Sequence, residues 1–188
     1  MLTAYIGLGA NLPSRAGPPE ATLAAAAERL ESLGRIAARS SLYSTAPVGF
    51  AGQPRFVNAV LALETDLAPR ELLGALLTIE HGFGRDRASS VANGPRTLDL
   101  DILLFGDLVL SEPGLEIPHP RLAERAFVMV PLTEIAPQAR DPRTGTSVSQ
   151  LLQSLSRTPG DAIHAAVPVQ SDLWRAGAAP DVAGAGCP

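Results

Sequence analysis

The stretch Asn93-Gly-Pro-Arg-Thr-Leu-Asp-Leu-Asp-Ile-Leu-Leu-Phe105 places the tightest constraint on how this chain can fold. It opens with turn residues and an arginine, then alternates, then ends in unbroken apolar residues. Along a β-strand successive side chains point to opposite faces. Asp99 and Asp101 therefore share one face, while Leu98, Leu100, Ile102 and Leu104 are expected on the other. The acidic face is expected to turn apolar at Leu103 and Phe105, so only its first half is chemically unusual. Two carboxylates at i and i+2 repel each other unless a cation lies between them. Oxygen-only ligands on a rigid strand suit Mg²⁺, which keeps several waters and takes further ligands from substrate phosphates. Taken alone, the pair is either such a metal platform or a solvated strand face.

The chain of 188 residues fits one domain, since a domain typically runs about 100–200 residues. It has no apolar run of about 18 residues that would cross a membrane. The N-terminus lacks the basic region of a signal peptide. The only cysteine, Cys187, is penultimate, which leaves no internal disulfide or cysteine metal cage. A cytoplasmic protein is expected. The net charge of −4 argues against a broad nucleic-acid surface, and neither nucleic acid nor membrane is expected as a partner. All 15 basic residues are arginine. This excludes a lysine phosphate loop, a Schiff base and an SxxK nucleophile. Any phosphate must be held by arginine forks, backbone N–H groups and metal.

Thr3 to Leu8 alternates as a first strand, and Gly7-Leu-Gly9 is expected as a tight turn rather than a dinucleotide fingerprint. Glu20 to Leu33 has a helical stripe at Leu23, Ala27, Leu30 and Leu33, with Gly34 as its stop. Arg35 to Tyr43 reads as a second strand, followed by a loop to Arg55 long enough to be functional. Phe56 to Thr65 forms a third strand, with Val57, Ala59, Leu61 and Leu63 opposite Phe56, Asn58 and Val60. Asparagine is depleted in strands, so Asn58 marks either a sheet edge or a ligand contact. Pro69 starts a second helix that buries Leu72, Leu73, Leu76, Leu77 and Ile79. Glu80 at its end opposes the helix dipole, a sign that another group holds it. A second long polar loop carries Arg85, Arg87 and Arg96 into the opening stretch.

Leu108 to Leu110 reads as a hairpin arm and 115–120 as extended chain. Arg121 to Ile135 reads as helical pieces broken at Pro131, and Val148 to Leu155 as a short helix. The order up to Phe105 is β-α-β-β-α-β, an α+β ferredoxin-like core of antiparallel sheet with helices on one face. A C-terminal hairpin and short helices follow. Residues 1–156 form the domain, and 157–188 are expected to be a loosely attached or disordered tail.

Two strand-borne carboxylates, Arg85, Arg87 and Arg96 just upstream, His119 between prolines, Thr45 and Val48 in a loop, and the pair Phe56 and Asn58 form a constellation. Each has a bland alternative: a solvated arginine loop, a structural histidine, a core aromatic at Phe127. Together they suit metal-assisted transfer from a nucleoside triphosphate to a flat, hydrogen-bonding heterocycle.

The segments 5–12 (Tyr-Ile-Gly-Leu-Gly-Ala-Asn-Leu), 43–49 (Tyr-Ser-Thr-Ala-Pro-Val-Gly), 56–59 (Phe-Val-Asn-Ala) and 94–102 (Gly-Pro-Arg-Thr-Leu-Asp-Leu-Asp-Ile) resemble the 6-hydroxymethyl-7,8-dihydropterin pyrophosphokinase family. Ile117-Pro-His-Pro120, 125–132 (Arg-Ala-Phe-Val-Met-Val-Pro-Leu) and Glu134-Ile-Ala-Pro137 continue the likeness, which covers about residues 3–155. The resemblance implies pyrophosphoryl transfer from ATP to the hydroxymethyl oxygen of the dihydropterin, releasing AMP, in folate biosynthesis. Asp99 and Asp101 would hold two Mg²⁺ ions, and Arg85 and Arg96, with Arg87, the phosphates. Glu80, Ile102, His119 and Arg125 would contact the nucleotide. The pterin would lie between Phe56 and Phe127, bonded by Asn58, Thr45 and backbone near Val48. The loops at 44–55 and 85–97 would close over both substrates of a monomer. Asn93, Ala46, Gly114 and Glu116 depart from the family pattern, and the 87–96 span is about one residue longer. A nucleotidyltransferase releasing pyrophosphate and a pterin-binding protein without catalysis are the competing readings.

Overall fold

The computed structural model describes residues 1–47, 52–86, 94–156 and 166–174. Strand β1 (Leu2–Ala10) leads to helix α1 (Pro19–Leu30) and a 3₁₀ turn at Glu31–Leu33. Then come β2 (Arg35–Arg39), β3 (Leu42–Thr45), β4 (Phe56–Thr65), α2 (Pro69–Gly82) and β5 (Asp99–Phe105). A separate ribbon of β6 (Leu110–Glu112) and β7 (Leu115–Ile117) precedes α3 (Ala126–Ile135), α4 (Val148–Leu155) and β8 (Val167–Val169). The main sheet runs β5-β1-β4-β3-β8, and β2 pairs with the far half of β4. All its pairings are antiparallel.

The sheet is covered on both faces, not on one. Leu23 and Leu30 of α1 and Leu72 and Leu76 of α2 pack on Ile6, Leu61 and Leu100. Met129 and Leu132 of α3, with Val148 at the start of α4, pack on Val60, Leu103 and Leu104 of the opposite face. The alternation read in β4 holds, with Val57, Ala59, Leu61 and Leu63 on the α1/α2 side and Val60 on the other.

In β5 the alternation holds only as far as Leu103. Ile6 of β1 faces Ile102 but Tyr5 faces Leu104, so Leu103 is an extra residue on β5. Such a bulge reverses the facing of everything beyond it. Leu104 accordingly joins Leu103 against α3, and Phe105 enters the α1/α2 core, opposite to the strict alternation. The Leu103 carbonyl accepts the His119 N–H at 2.9 Å, which ties the Pro-His-Pro segment to the bulge.

Other expectations change for local reasons. Gly7 and Gly9 do not turn; they lie within β1, paired to both neighbours. The second strand breaks at Ser40 and Ser41, where Glu134 of α3 accepts the Ser41 N–H and hydroxyl and the Tyr43 hydroxyl. Leu77 is solvent-exposed, whereas Leu72 and Leu76 are buried. Leu108 and Val109 are exposed, and the ribbon's pairing begins at Leu110. Helix α3 passes through Pro131 unbroken. A proline inside a helix costs about 3 kcal/mol, and here burial between the sheet and α4 offsets it. Gly34 ends the first helical segment where a side chain could not fit, because its Cβ would stand 2.1 Å from the Glu64 carbonyl oxygen.

The tail is partly docked. β8 extends the sheet beside β3, and the Trp174 ring is buried. Pro168 sits in the outermost strand, where a missing N–H costs no ladder bond and discourages further strand addition.

Leu61 is fully buried in the central strand β4. Leu61→Ala should destabilise the fold by about 2–5 kcal/mol through lost transfer energy and a residual cavity. Urea unfolding checks this, and a loss below about 1 kcal/mol would contradict the packing described.

Candidate active site

Three residues stand in a row across the middle of the sheet: Asn58 on β4, Gly9 on β1 and Asp99 on β5. Gly9 leaves the floor between the other two open, since a Cβ there would lie 3.1 Å from Asn58 Oδ1. Above the row is a cleft of about 860 Å³ including its open mouth. Phe56, Asn58, Thr45 and Phe127 line one part of it, and Arg96, Asp99 and Arg125 another. A smaller recess runs beside it past Asp99 and Asp101 to Leu103 and Val128.

Asn58 and Thr45 form a buried pair, with Asn58 Nδ2 donating to Thr45 Oγ1 at 2.8 Å. This fixes the amide and leaves Oδ1 as an acceptor over Gly9. Each aromatic ring has a guanidinium over its face: Arg96 at 5.5 Å from Phe56 and Arg125 at 5.5 Å from Phe127. Such contacts contribute about 0.5–1 kcal/mol where exposed and more when desolvated.

Asp99 is clasped by two arginines. Arg96 Nη1 donates to Oδ2 at 2.6 Å, and Arg85 Nη1 donates to Oδ1. Burial opposes ionisation of Asp99, but the charges of Arg85 and Arg96 outweigh it and hold its carboxyl below the ordinary value. Arg85 is itself braced, donating to the Leu98 carbonyl at 2.9 Å and to Glu80 Oε1 at 3.1 Å. Glu80 also accepts the Leu100 N–H at 2.8 Å. The unfavourable helix-end charge is thus explained, because Glu80 locks α2, Arg85 and β5 together.

Among the described residues Asp101 has its ion pair with Arg125, at 4.0 Å, and its side chain is 38% exposed. Burial, then the charge of Asp99, push its carboxyl up to about 6. Among the described residues no group of three or more His, Cys, Asp or Glu side chains could hold a metal ion. A partly exposed Asp101 carboxylate beside an Asp99 carboxylate that two arginines hold ionised fits Mg²⁺, whose other ligands are water and phosphate oxygens. His119 accepts the Arg121 N–H on Nδ1 at 3.0 Å. Burial, then Arg125 and Arg121, push its imidazole down to about 4, so it is neutral at pH 7 with Nε2–H as donor.

The structure therefore brings together Thr45, Phe56, Asn58, Phe127, Arg96, Asp99, Asp101 and Arg125 around adjoining recesses. Glu80 lies beneath the site rather than in the cleft wall, and Ile102 is buried in the α1/α2 core. Val48, Arg87 and Asn93 lie outside the described residues. Gly114 and Glu116 are exposed in and beside the turn of the β6–β7 ribbon.

Sequence reasoning missed Gly9, Asn11, Arg121, Glu124 and Leu155. Asn11 is buried and accepts the Arg96 N–H at 2.8 Å while donating to Gln53 Oε1 at 3.0 Å and the Pro54 carbonyl at 3.1 Å. Arg121, Glu124 and Leu155 line the cleft from the α3/α4 side. A glycine inside a strand pattern was the one available signal, since it marks a close approach to that backbone.

The chain matches the family model described as 7,8-dihydro-6-hydroxymethylpterin-pyrophosphokinase (HPPK) over residues 5–137. It is 48% identical over 163 residues to the 2-amino-4-hydroxy-6-hydroxymethyldihydropteridine pyrophosphokinase of Pseudomonas aeruginosa, covering 83% of this chain and 96% of that protein. The Synechocystis protein of the same name is 41% identical over 157 residues, covering 82% of this chain and 77% of the other. In shape it is similar to Plasmodium falciparum HPPK-DHPS, with a TM-score of 0.64 at 15% identity. That alignment covers 83% of this chain and 45% of the Plasmodium chain, and it bears on the fold alone. With its helix-covered antiparallel sheet and its carboxylate–arginine cleft, the protein falls in the class of diphosphokinases. It belongs to the 7,8-dihydro-6-hydroxymethylpterin-pyrophosphokinase family.

The raised Asp101 pKa makes stability depend on pH. The folded state binds this proton more tightly than the unfolded chain, whose carboxyl titrates at the ordinary 3.8. That contribution is fully present below 3.8 and is lost as pH rises through about 6. Asp101→Asn should therefore be more stable than the parent at pH 7 and level with it near pH 4. Metal-free thermal denaturation across this range is the measurement, and identical profiles would contradict the site's electrostatics.

Proposed function

We propose that this protein transfers the terminal diphosphate of ATP to the hydroxymethyl oxygen of 6-hydroxymethyl-7,8-dihydropterin. The products are the diphosphate ester and AMP, in folate biosynthesis in the cytoplasm. The observation that carries this reading is the Asn58–Gly9–Asp99 row, which sets an aromatic–amide slot two strands away from a carboxylate–arginine cluster.

The pterin fits between Phe56 and Phe127, both of which line the cleft. The bond from Asn58 Nδ2 to Thr45 orients the amide, so that its Oδ1 can accept from the amino and ring N–H groups of the heterocycle. Arg96 joins the two halves of the site, lying over Phe56 while holding Asp99. On arrival of the triphosphate, Arg85 and Arg96 exchange the Asp99 carboxylate for phosphate oxygens. Bidentate guanidinium–phosphate bonds are about twice as strong as neutral ones. Arg125 and the Nε2–H of neutral His119 add donors on the nucleotide side. Glu80 acts through Arg85 as a positioning residue rather than touching the nucleotide, and Arg87 belongs with the phosphate-binding arginines.

Asp99 and Asp101 would hold two Mg²⁺ ions, which when bound neutralise phosphate charge and lower the pKa of the attacking hydroxyl. The hydroxymethyl oxygen forms its bond to the β-phosphorus as the bond to the α,β-bridging oxygen breaks. The electron pair leaves with AMP, and the hydroxyl proton passes to water. Positioning and electrostatics supply most of the catalysis in such transfers.

Incubation with ATP, Mg²⁺ and the dihydropterin, followed by mass detection, should show the diphosphate ester and AMP in equal amounts. Pyrophosphate with an adenylylated pterin would indicate a nucleotidyltransferase instead, and pterin binding in calorimetry without turnover a binding protein. Asp101→Ala should lower kcat by about 10²–10³-fold, the scale of removing one preorganised charge-stabilising group, with the fold retained by circular dichroism. Near-normal turnover would remove the metal assignment. Arg96→Ala should mainly slow the single-turnover chemical step, and an effect confined to pterin affinity would count against its phosphate role.

A further inference from the structure

We propose that the C-terminal segment 167–174 is a positioning element for the pterin side of the site. This rests on the function proposed above and concerns residues beyond the 5–137 span that the family model matches.

Strand β3 is only four residues long, and its ladder with β4 has three pairs: Tyr43 to Asn58, Ser44 to Val57 and Thr45 to Phe56. So short a ladder on one side alone leaves β3 weakly held, since each cross-strand pair contributes only modest stability. β8 supplies the second ladder, pairing Leu42 with Val169, Tyr43 with Pro168 and Ser44 with Val167. Five residues on, the Trp174 ring is 6% exposed, and its Nε1–H donates to the Ser40 carbonyl at 2.7 Å. Ser40 is fully buried, and its hydroxyl accepts the Val60 N–H at 2.9 Å. Trp174 thus fixes the joint between β2 and β3 to the central strand. The Arg39 guanidinium lies 5.7 Å from the Trp174 ring centroid and is bonded to Glu31 at 2.6 Å. Glu134 holds the same joint from α3.

The strand held in this way ends at Thr45, whose hydroxyl orients the Asn58 amide, and Ala46 beyond it lines the cleft. Undocking the segment lets β3 fray and lowers the fraction of molecules with Thr45 and Asn58 in binding geometry. Apparent affinity falls by that fraction. The effect falls on the pterin side, because Asp99 and Asp101 lie on β5, with β1 and β4 between that strand and β3, and Arg85 is bonded to Asp99.

The test uses the full chain with Trp174→Ala and Trp174→Phe. Trp174 is the only tryptophan, so weak acrylamide quenching of its fluorescence in the parent reports docking. Trp174→Ala should raise the KM for the dihydropterin about tenfold, the scale of losing one buried hydrogen bond and its packing. The KM for ATP and kcat should stay within about twofold. Trp174→Phe, which keeps ring burial without the hydrogen bond, should lie between the two. If Trp174→Ala fails to melt cooperatively, Trp174→Phe decides. An unchanged pterin KM in the folded variant, or an equal rise for both substrates, would overturn the inference. A parent protein that forms no ester and no AMP sinks the proposed function itself, whereas an active parent with unmoved variants sinks only this inference.

Discussion

The pairing of β1 with both β4 and β5 is the constraint on which the site depends. Adjacent strands are about 4.8 Å apart, so residues in one row across three strands are held at a spacing no loop could match. Asn58 and Asp99 are in such a row, with Gly9 between them. Glycine suits the central position for a local reason, because a Cβ there would stand 3.1 Å from the Asn58 amide oxygen and press on it. A residue with a side chain at position 9 would displace the amide or cover the floor. The strand costs some local stability at this point, and both flanking ladders offset it.

Charge in the site is arranged around Asp99. Two guanidiniums hold it ionised despite burial, and Glu80 beneath them gives Arg85 a second counter-charge. Asp101, two residues on, receives much less compensation, since Arg125 is 4.0 Å away. The two carboxylates therefore differ although they share a strand face. Asp99 is satisfied by the protein, and Asp101 still gains from an added cation. A chain without lysine can build such a cluster because guanidinium groups are planar, permanently charged and able to bond several oxygens at once.

Local patterns made much of this legible. Asp99 and Asp101 share a face because the strand has period two, and Glu80 stood out because a carboxylate at a helix end needs a partner. What was not legible depended on contacts distant in sequence. The bulge at Leu103 exists only in register with β1, so the alternation of β5 extended too far when read alone. Gly7 and Gly9 looked like a turn because glycine does mark turns, and only the two neighbouring strands show why a strand would carry them. Pro131 looked like a break, yet burial on both sides of α3 outweighs one lost hydrogen bond. β8 is too short, and too interrupted by Pro168, to give a strand signal of its own.

The bulge also explains how His119 is held beside Arg121 and Arg125. A regular β5 would have given Leu103 a partner residue on β1 and carried strict alternation through Phe105. With the extra residue, the Leu103 carbonyl is bonded to the His119 N–H, and Leu103 and Leu104 both face α3. One irregularity thus anchors the Pro-His-Pro segment and seats the helix that carries Phe127. Burial, and after it the neighbouring charges of Arg125 and Arg121, keep the imidazole neutral there. The second half of β5, which carries no chemistry itself, in this way sets the opposite wall of the cleft from the carboxylates on its first half.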